Sequence, residues 1–150
     1  MAAPIHEEYH ELVVEFSKDE GSTWARNCVL MGVEVSRTTA TTDVETVRDC
    51  DNDALPNNIS RRVQSISVSM SGTGNWTQGG YNQFLTKFYG GDNTPMMARI
   101  GNLAAASGEI EYEQGNIIIT SLGQARTKGS VVTASIELTF ADTPETVLKV

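Results

Sequence analysis

The feature that most limits what this chain can fold into is a recurring alternation of apolar and polar side chains. From Val63 to Ser71, Ile66, Val68 and Met70 fall on one side, with Gln64 at the edge of the stripe. Ser65, Ser67, Ser69 and Ser71 fall on the other. A period of two sends successive side chains to opposite faces of a strand, so this segment reads as a strand buried on one face only. The pattern returns near the C-terminus, where Val132, Ala134, Ile136, Leu138 and Phe140 oppose Thr133, Ser135, Glu137 and Thr139. A third stripe sets Val29, Met31, Val33 and Val35 against Leu30, Gly32, Glu34 and Ser36. Ile110 and Tyr112 alternate with Glu109, Glu111 and Glu113, and residues 117–122 follow a Gln114-Gly115-Asn116 turn signal that predicts a hairpin. Residues 12–16 and 96–100 are shorter strand candidates.

One segment keeps the helical period instead. Tyr81, Phe84, Leu85 and Phe88 fall at i, i+3, i+4 and i+7, with Thr77 placed to cap the start and Gly90-Gly91 to end it. A helix of about three turns can bury such a stripe only against a sheet. Residues 37–58 differ again. They are rich in Thr and Asp, close on Leu55-Pro56-Asn57-Asn58 and show no core stripe. That predicts a segment disordered in isolation or a long loop projecting to a partner. The 150 residues suffice for one domain, residues 1–150. Six or seven strands and one helix predict a mainly β fold, a β-sandwich or partly closed barrel with one flanking α-helix.

Charge narrows the function. The formal net charge is −8, and residues 1–53 carry 12 acids against 4 bases, whereas the remainder balances at 7 and 7. No basic stripe is present to grip nucleic acid through phosphates or to dock on an anionic membrane. No apolar run approaches the ~20 residues of a spanning helix. The first residues lack a basic segment followed by an apolar core, so no secretory signal is expected.

The local motifs are weak. His6-Glu7-Glu8-Tyr9-His10 matches H-E-x-x-H, but it runs straight into a strand candidate, with no room for the helix that would hold zinc. Asp49-Cys50-Asp51-Asn52-Asp53 opens like a calcium loop, yet Ala54 and Ser60 stand where glycine and glutamate are required. Gly72-Thr73-Gly74 is a strand-ending turn, and the sequons at Asn58 and Asn75 carry no meaning without secretion. Both histidines lie in the N-terminal arm, so no nucleophile has a base beside it. No enzyme, metal or cofactor is implied. Cys28, at a strand start, reads as part-buried and Cys50 as exposed, and a disulfide between subunits is a minority reading. Arg61 and Arg62 point to opposite faces of their strand, where acidic neighbours suit them better than phosphate.

The order of these elements resembles the tail tube proteins of long-tailed bacteriophages. The resemblance rests on residues 61–74 as the central serine-rich strand, then the aromatic helix, the Met96-Met97-Ala98-Arg99-Ile100 strand, residues 115–121 and the closing strand 133–140. It covers about residues 12–142. It implies six copies in a ring and rings stacked into a hollow tube in the virion, synthesised in the bacterial host cytoplasm. Its implied partners are further copies of itself, tape-measure protein and viral DNA in the lumen, and a sheath in contractile members. It also implies that the long loop (37–58) and the N-terminal arm (1–11) touch neighbouring subunits or rings. The contact candidates there are Glu7, Glu8, Glu11, Asp43, Glu45, Arg48, Asp49, Asp51, Asp53, Arg61 and Arg62.

The faces turned away from the core hold Glu34 and Ser36, then Ser65, Ser67 and Ser69, then Thr133, Ser135, Glu137 and Thr139. None carries Lys or Arg. A wall without cations offers phosphates neither an ion pair nor a counterion-release gain, so these are the expected lumen residues. Only Glu34 and Glu137 bring acid to those faces. The acid-rich first third is therefore expected to act mainly in assembly, with salt sensitivity. Competing readings are a related secretion-system tube, another tail component of the same fold such as a terminator, and a monomeric β-sandwich binding module using Trp24 and Trp76.

Overall fold

The computed structural model describes residues 3–26 and 30–150, with the backbone alone at Gln78. In chain order it contains β1 (Leu12–Ser17), β2 (Ala25–Arg26), β3 (Leu30–Thr46), β4 (Asn58–Asn75), α1 (Gln78–Gly90), β5 (Met97–Asn102), β6 (Ile110–Ala125), β7 (Thr133–Phe140) and β8 (Glu145–Leu148). The strand pairings are antiparallel. Hydrogen bonds run in the order β2-β1-β5-β6-β7-β4-β3, with β8 also paired to β6. The first half of β6 pairs with β5 and β8, and its second half, from Ile117 to Ala125, pairs with β7. One sheet thus serves as two layers without closing, in agreement with the expected mainly β fold and single helix.

The core lies between the layers. Phe16, Met96, Ala98 and Ile100 come from one side, and Val68, Met70, Ala134, Ile136, Leu138 and Phe140 from the other. Ile117 and Ile119 of β6 belong to the same cluster. These are the apolar halves of the alternating stripes, and burying them is the main gain on folding. The helix inserts Tyr81 and Phe84, both fully buried, and Phe84 meets the Phe16 ring edge-on at 5.0 Å. Trp76 stacks on Tyr81 at 4.6 Å, so it is a packing residue. The helix begins where the Thr77 hydroxyl accepts the Gly80 N–H at 3.1 Å. It ends at Gly91, whose positive φ of 55° suits glycine. The predicted stripe holds at Tyr81 and Phe84 but fails at Phe88, which is 42% exposed. Lys87 is buried in its place, its Nζ donating to the Gly91 carbonyl at 2.9 Å.

Four expectations are corrected. Residues 37–46 are strand, so the predicted loop shrinks to a tip between β3 and β4. An arm that buries neither face loses its apolar period, yet its β-branched threonines still favour extended backbone. The Gln114-Gly115-Asn116 signal is not a turn, because β6 passes straight through it. Gly115 instead admits the Phe140 ring, which a Cβ would meet at 3.2 Å. The stripe expected through Met31 is broken by a register shift between Leu30 and Gly32. Leu30 packs against the core, whereas Met31 is exposed. Val29 and Cys28 lie outside the described residues. Finally, Ile66 is half exposed although Val68 and Met70 are buried, because β4 pairs with β7 only from Ser69 onward.

The opposite side of β1 and β5 carries a second cluster. The Arg99 guanidinium lies between the rings of Trp24, at 4.6 Å, and Tyr112, at 4.1 Å, and donates to Glu15 at 2.8 Å. This holds Trp24, and with it the β1–β2 turn, onto the sheet. Within that turn the Asp19 carboxylate accepts the Thr23 hydroxyl at 2.6 Å, the Thr23 N–H at 2.9 Å and the Ser17 hydroxyl at 2.7 Å.

Phe84→Ala is expected to cost about 3–5 kcal/mol in urea denaturation. Tyr81→Phe is expected to be neutral or stabilising, because the Tyr81 hydroxyl is buried without a hydrogen-bond partner. The Thr23 and Ser17 hydrogen bonds hold the Asp19 carboxyl at about 2, below its usual 3.8. A depressed carboxyl pKa contributes stability above the unfolded value and loses it as pH falls from about 3.8 to about 2. NMR titration of Asp19 is expected to show the low midpoint, and Asp19→Asn to flatten the stability profile across that window.

Candidate functional site

Cross-strand register decides which polar residues share a surface, because directly opposed residues project to the same face. Glu34 pairs with Ser71, Ser71 with Glu137 and Glu137 with Ser121. One row therefore crosses β3, β4, β7 and β6. The next row runs from Ser36 through Ser69 to Thr139, and Thr73 opposite Ser135 forms another. Ser67 faces Thr38, Ser65 faces Ala40, and Thr133 faces Asn75. All nine residues predicted for a lumen thus lie on one continuous face, turned away from the core. Thr38, Thr73 and Ser121 also belong to it. Thr38 was missed because the alternation of β3 was read as ending at Ser36.

Glu34 and Glu137 stand on either side of Ser71, two strand spacings or ~9.6 Å apart. Neither makes an ion pair among the described residues. Thr120, in the register shift of β6, donates to the Glu137 carbonyl at 3.2 Å. The nearest cations lie at the margins. Arg62 is opposite Thr42, out on the β3–β4 arm, and Arg126 and Lys128 follow the end of β6. Besides hydroxyls and carboxylates, the sheet portion of the face carries Ile118, opposite Thr139, with Ala40 and Asn75 at its ends, and among the described residues it bears no Lys or Arg.

The contact candidates fall on two projections. From residue 37 outward, β3 pairs only with β4, making a two-stranded arm beyond the body. Asp43, Glu45, Arg61 and Arg62 line this arm. Arg48, Asp49, Asp51 and Asp53 occupy its tip, where Asp49 and Asn52 side chains accept backbone N–H groups of Asp51 and Ala54. Arg61 and Arg62 do project to opposite faces. Arg61 finds its acid on the adjacent strand, at 3.4 Å from Asp43. At the root of the arm, Arg37 donates through both nitrogens to the Glu113 carboxylate of β6, its Nε at 3.0 Å. This brace was invisible in the sequence, since its partners are 76 residues apart. Glu7 and Glu8 are exposed in the N-terminal segment, and Glu11 sits in a single 3-10 turn leading into β1.

The weaker motifs gain no support. His6 and His10 do not share a helix, and among the described residues no three His, Cys, Asp or Glu side chains converge on a point that could hold a metal. Cys50 is exposed and free. No helix among the described residues is long and apolar enough to cross a membrane.

Arg37→Gln is expected to lower global stability by less than about 1 kcal/mol, as for other solvent-accessible ion pairs. It should nevertheless loosen the arm, read as lower 15N relaxation order parameters between residues 41 and 63.

Comparison with solved structures finds the same fold in phage-like tails. The tail of an empty gene transfer agent particle, refined with C6 symmetry, superposes with a TM-score of 0.72 at 14% identity, covering 95% of this chain and 99% of that one. The SPP1 tail tube gives 0.64 at 11% identity, covering 96% and 81%. The sheath-tube complex of an extracellular contractile injection system gives 0.57 at 14% identity, covering 96% and 93%. No curated protein sequence matches. The family model for phage tail tube proteins matches residues 10–145, nearly the whole folded body and its arm. The chain belongs to the phage tail tube protein family, a structural rather than enzymatic family of the virion.

Proposed function

We propose that six copies close into a ring and that rings stack into the hollow tube through which viral DNA passes. The observation that carries this reading is the continuous hydroxyl and carboxylate face, bounded on both sides by unpaired strand edges. On one side, among the described residues, no strand pairs with the outer edge of β3. On the other, the second half of β6 has β7 on one flank and, among the described residues, no strand on the next. Free edges attract strands, and a monomer leaves both exposed. Strand directions alternate across β3, β4, β7 and β6, so β6 of one copy meets β3 of the next in antiparallel sense. Such a contact is head-to-tail, and a head-to-tail contact whose rotation closes makes a ring. The C6 symmetry of the similar gene transfer agent tail supports six.

Closed in this way, the polar face becomes the inner wall. Glu34, Ser36, Ser65, Ser67, Ser69, Thr133, Ser135, Glu137 and Thr139 line the lumen. DNA then meets a wetted surface with no cation to release its counterions. The rows of Glu34 and Glu137 repel phosphate over a distance similar to the ~10 Å screening length at ~0.1 M salt. Before ejection the same lumen holds tape-measure protein. The N-terminal segment and the β3–β4 arm make the contacts between subunits and rings. The likeness to a sheath-tube complex supports an outer surface able to carry a sheath.

Negative-stain electron microscopy of concentrated protein is expected to show rings or hollow tubes. Ser67→Lys with Ser135→Lys should leave assembly intact but make tubes retain short duplex DNA, in a salt-dependent manner, by co-sedimentation. Loss of rings in that variant, or no change in DNA retention, would place the polar face elsewhere than the lumen.

A further inference from the structure

The outer edge of β3, on which the ring contact depends, is guarded at one end. The free half of β6, residues 117–125, is at least as long as the part of β3 within the body, residues 30–36. A full antiparallel pairing of the two therefore reaches the Leu30 end of β3. At that end, residues 7–10 of the N-terminal segment stand across a slot of about 600 Å³ from residues 30–33. The Tyr9 hydroxyl crosses the slot and donates to the Met31 carbonyl at 2.9 Å. Met31 is the extra residue of the register shift and has no counterpart on β4. Further along the strand, the pKa of Arg37 is raised first by its hydrogen bond to Glu113 and also by the charge of Glu7. Two points of the N-terminal segment are thus drawn to one side of β3.

The hold is weak and has a fixed pivot. In the single turn Tyr9–Glu11, the Glu11 carbonyl accepts the Leu103 N–H at 2.8 Å, which fastens the turn to the body. Upstream of it, Ile5 is 98% exposed and packs on nothing. Among the described residues, no other hydrogen bond or ion pair ties residues 3–8 to the body. A strand added to β3 would lie ~4.8 Å away and aim its N–H groups at the β3 carbonyls. A carbonyl accepts near its own plane, so the Tyr9 hydroxyl holds at Met31 the place that such an N–H would take.

We propose that the N-terminal segment is a latch that covers the β3 edge in the free monomer and must swing away about the Tyr9–Glu11 turn before β6 of a neighbour can pair there. Once released, the same segment is available for the contacts between copies assigned to it above. A latch of one hydrogen bond and one charge attraction leaves a minority of open monomers, and only these join a ring. The apparent affinity of the ring contact is then the intrinsic one reduced by the open fraction. Free subunits are thereby restrained from assembling with one another at low concentration. This inference rests on the tube reading, because the latch matters only where β3 is to be paired.

The test is the critical concentration for assembly, measured by sedimentation of the full chain carrying Tyr9→Phe or Glu7→Gln. Tyr9 is 76% exposed, so its hydroxyl can be removed without disturbing the core. Tyr9→Phe should lower the critical concentration about fivefold, the factor that one hydrogen bond of ordinary net strength contributes. Glu7→Gln should lower it less, and that effect should vanish at ~1 M salt, where screening acts within ~3 Å. In the monomer, 15N relaxation should show residues 3–8 becoming more mobile in Tyr9→Phe. Tubes with an unchanged critical concentration, or equal mobility of residues 3–8, would overturn the latch and leave the tube reading intact. A raised critical concentration in Tyr9→Phe would overturn it too, by showing that the hydroxyl serves the assembled contact instead. Absence of rings and tubes in the unaltered chain and both variants at every concentration would overturn both readings.

Discussion

Backbone hydrogen bonding along β6 is the interaction on which the rest depends. At 16 residues, this strand is long enough to pair with β5 and β8 through its first half and with β7 through its second. Two layers that would otherwise be separate small sheets therefore share one strand and one core. The same arrangement leaves the second half of β6 without a strand partner on its outer flank, and β3 without one on its own, among the described residues. Unpaired N–H and C=O groups along two edges invite strand addition. The proposed lateral contact thus starts from the way the monomer satisfies, and leaves unsatisfied, its backbone.

The sheet around β7 and β4 divides its two faces by chemistry. One face gives Val68, Met70, Ile136 and Leu138 to the core, and the other shows Ser69, Ser71, Ser135 and Glu137 to water. Because the period is two, neither set can move without moving the other. Burial of the apolar set therefore fixes the orientation of the polar one. No separate interaction is needed to align the hydroxyl rows, and among the described residues none is seen beyond the Thr120 contact with the Glu137 carbonyl.

Charge is distributed according to this division. The acidic excess is concentrated in the N-terminal segment, the β1–β2 turn and the arm, where it meets solvent or nearby donors. Asp19 is fully engaged inside its own turn, and Glu15 is held by Arg99 beneath Trp24. Glu113 braces Arg37 at the arm's root. Several acids counted toward the net charge thus have structural partners. Among the described residues, the carboxylates that make no ion pair include Glu8 in the N-terminal segment and Glu34 and Glu137 on the polar face.

Much of the monomer was legible in the residues themselves. The serine-rich strand, the closing strand and the aromatic helix carry periods that follow from the geometry of one chain segment and one buried face. Their order sufficed for the resemblance that the family match bears out. The nine polar residues were legible as strand faces for the same reason. What escaped were features set by contacts between distant segments. The arm was read as loop because a two-stranded projection buries no face and so prints no apolar period. Gly115 was read as a turn because its purpose, admitting Phe140, depends on a residue 25 positions away. The bulges at Met31 and Gln64 reverse local parity only in relation to a partner strand. The sequence alone determined which side chains alternate and which surfaces lack cations, since both are properties of a single strand. Tertiary structure decided that three such strands align into one face, that the arm projects, and that two edges stay open, because register and pairing exist only between strands.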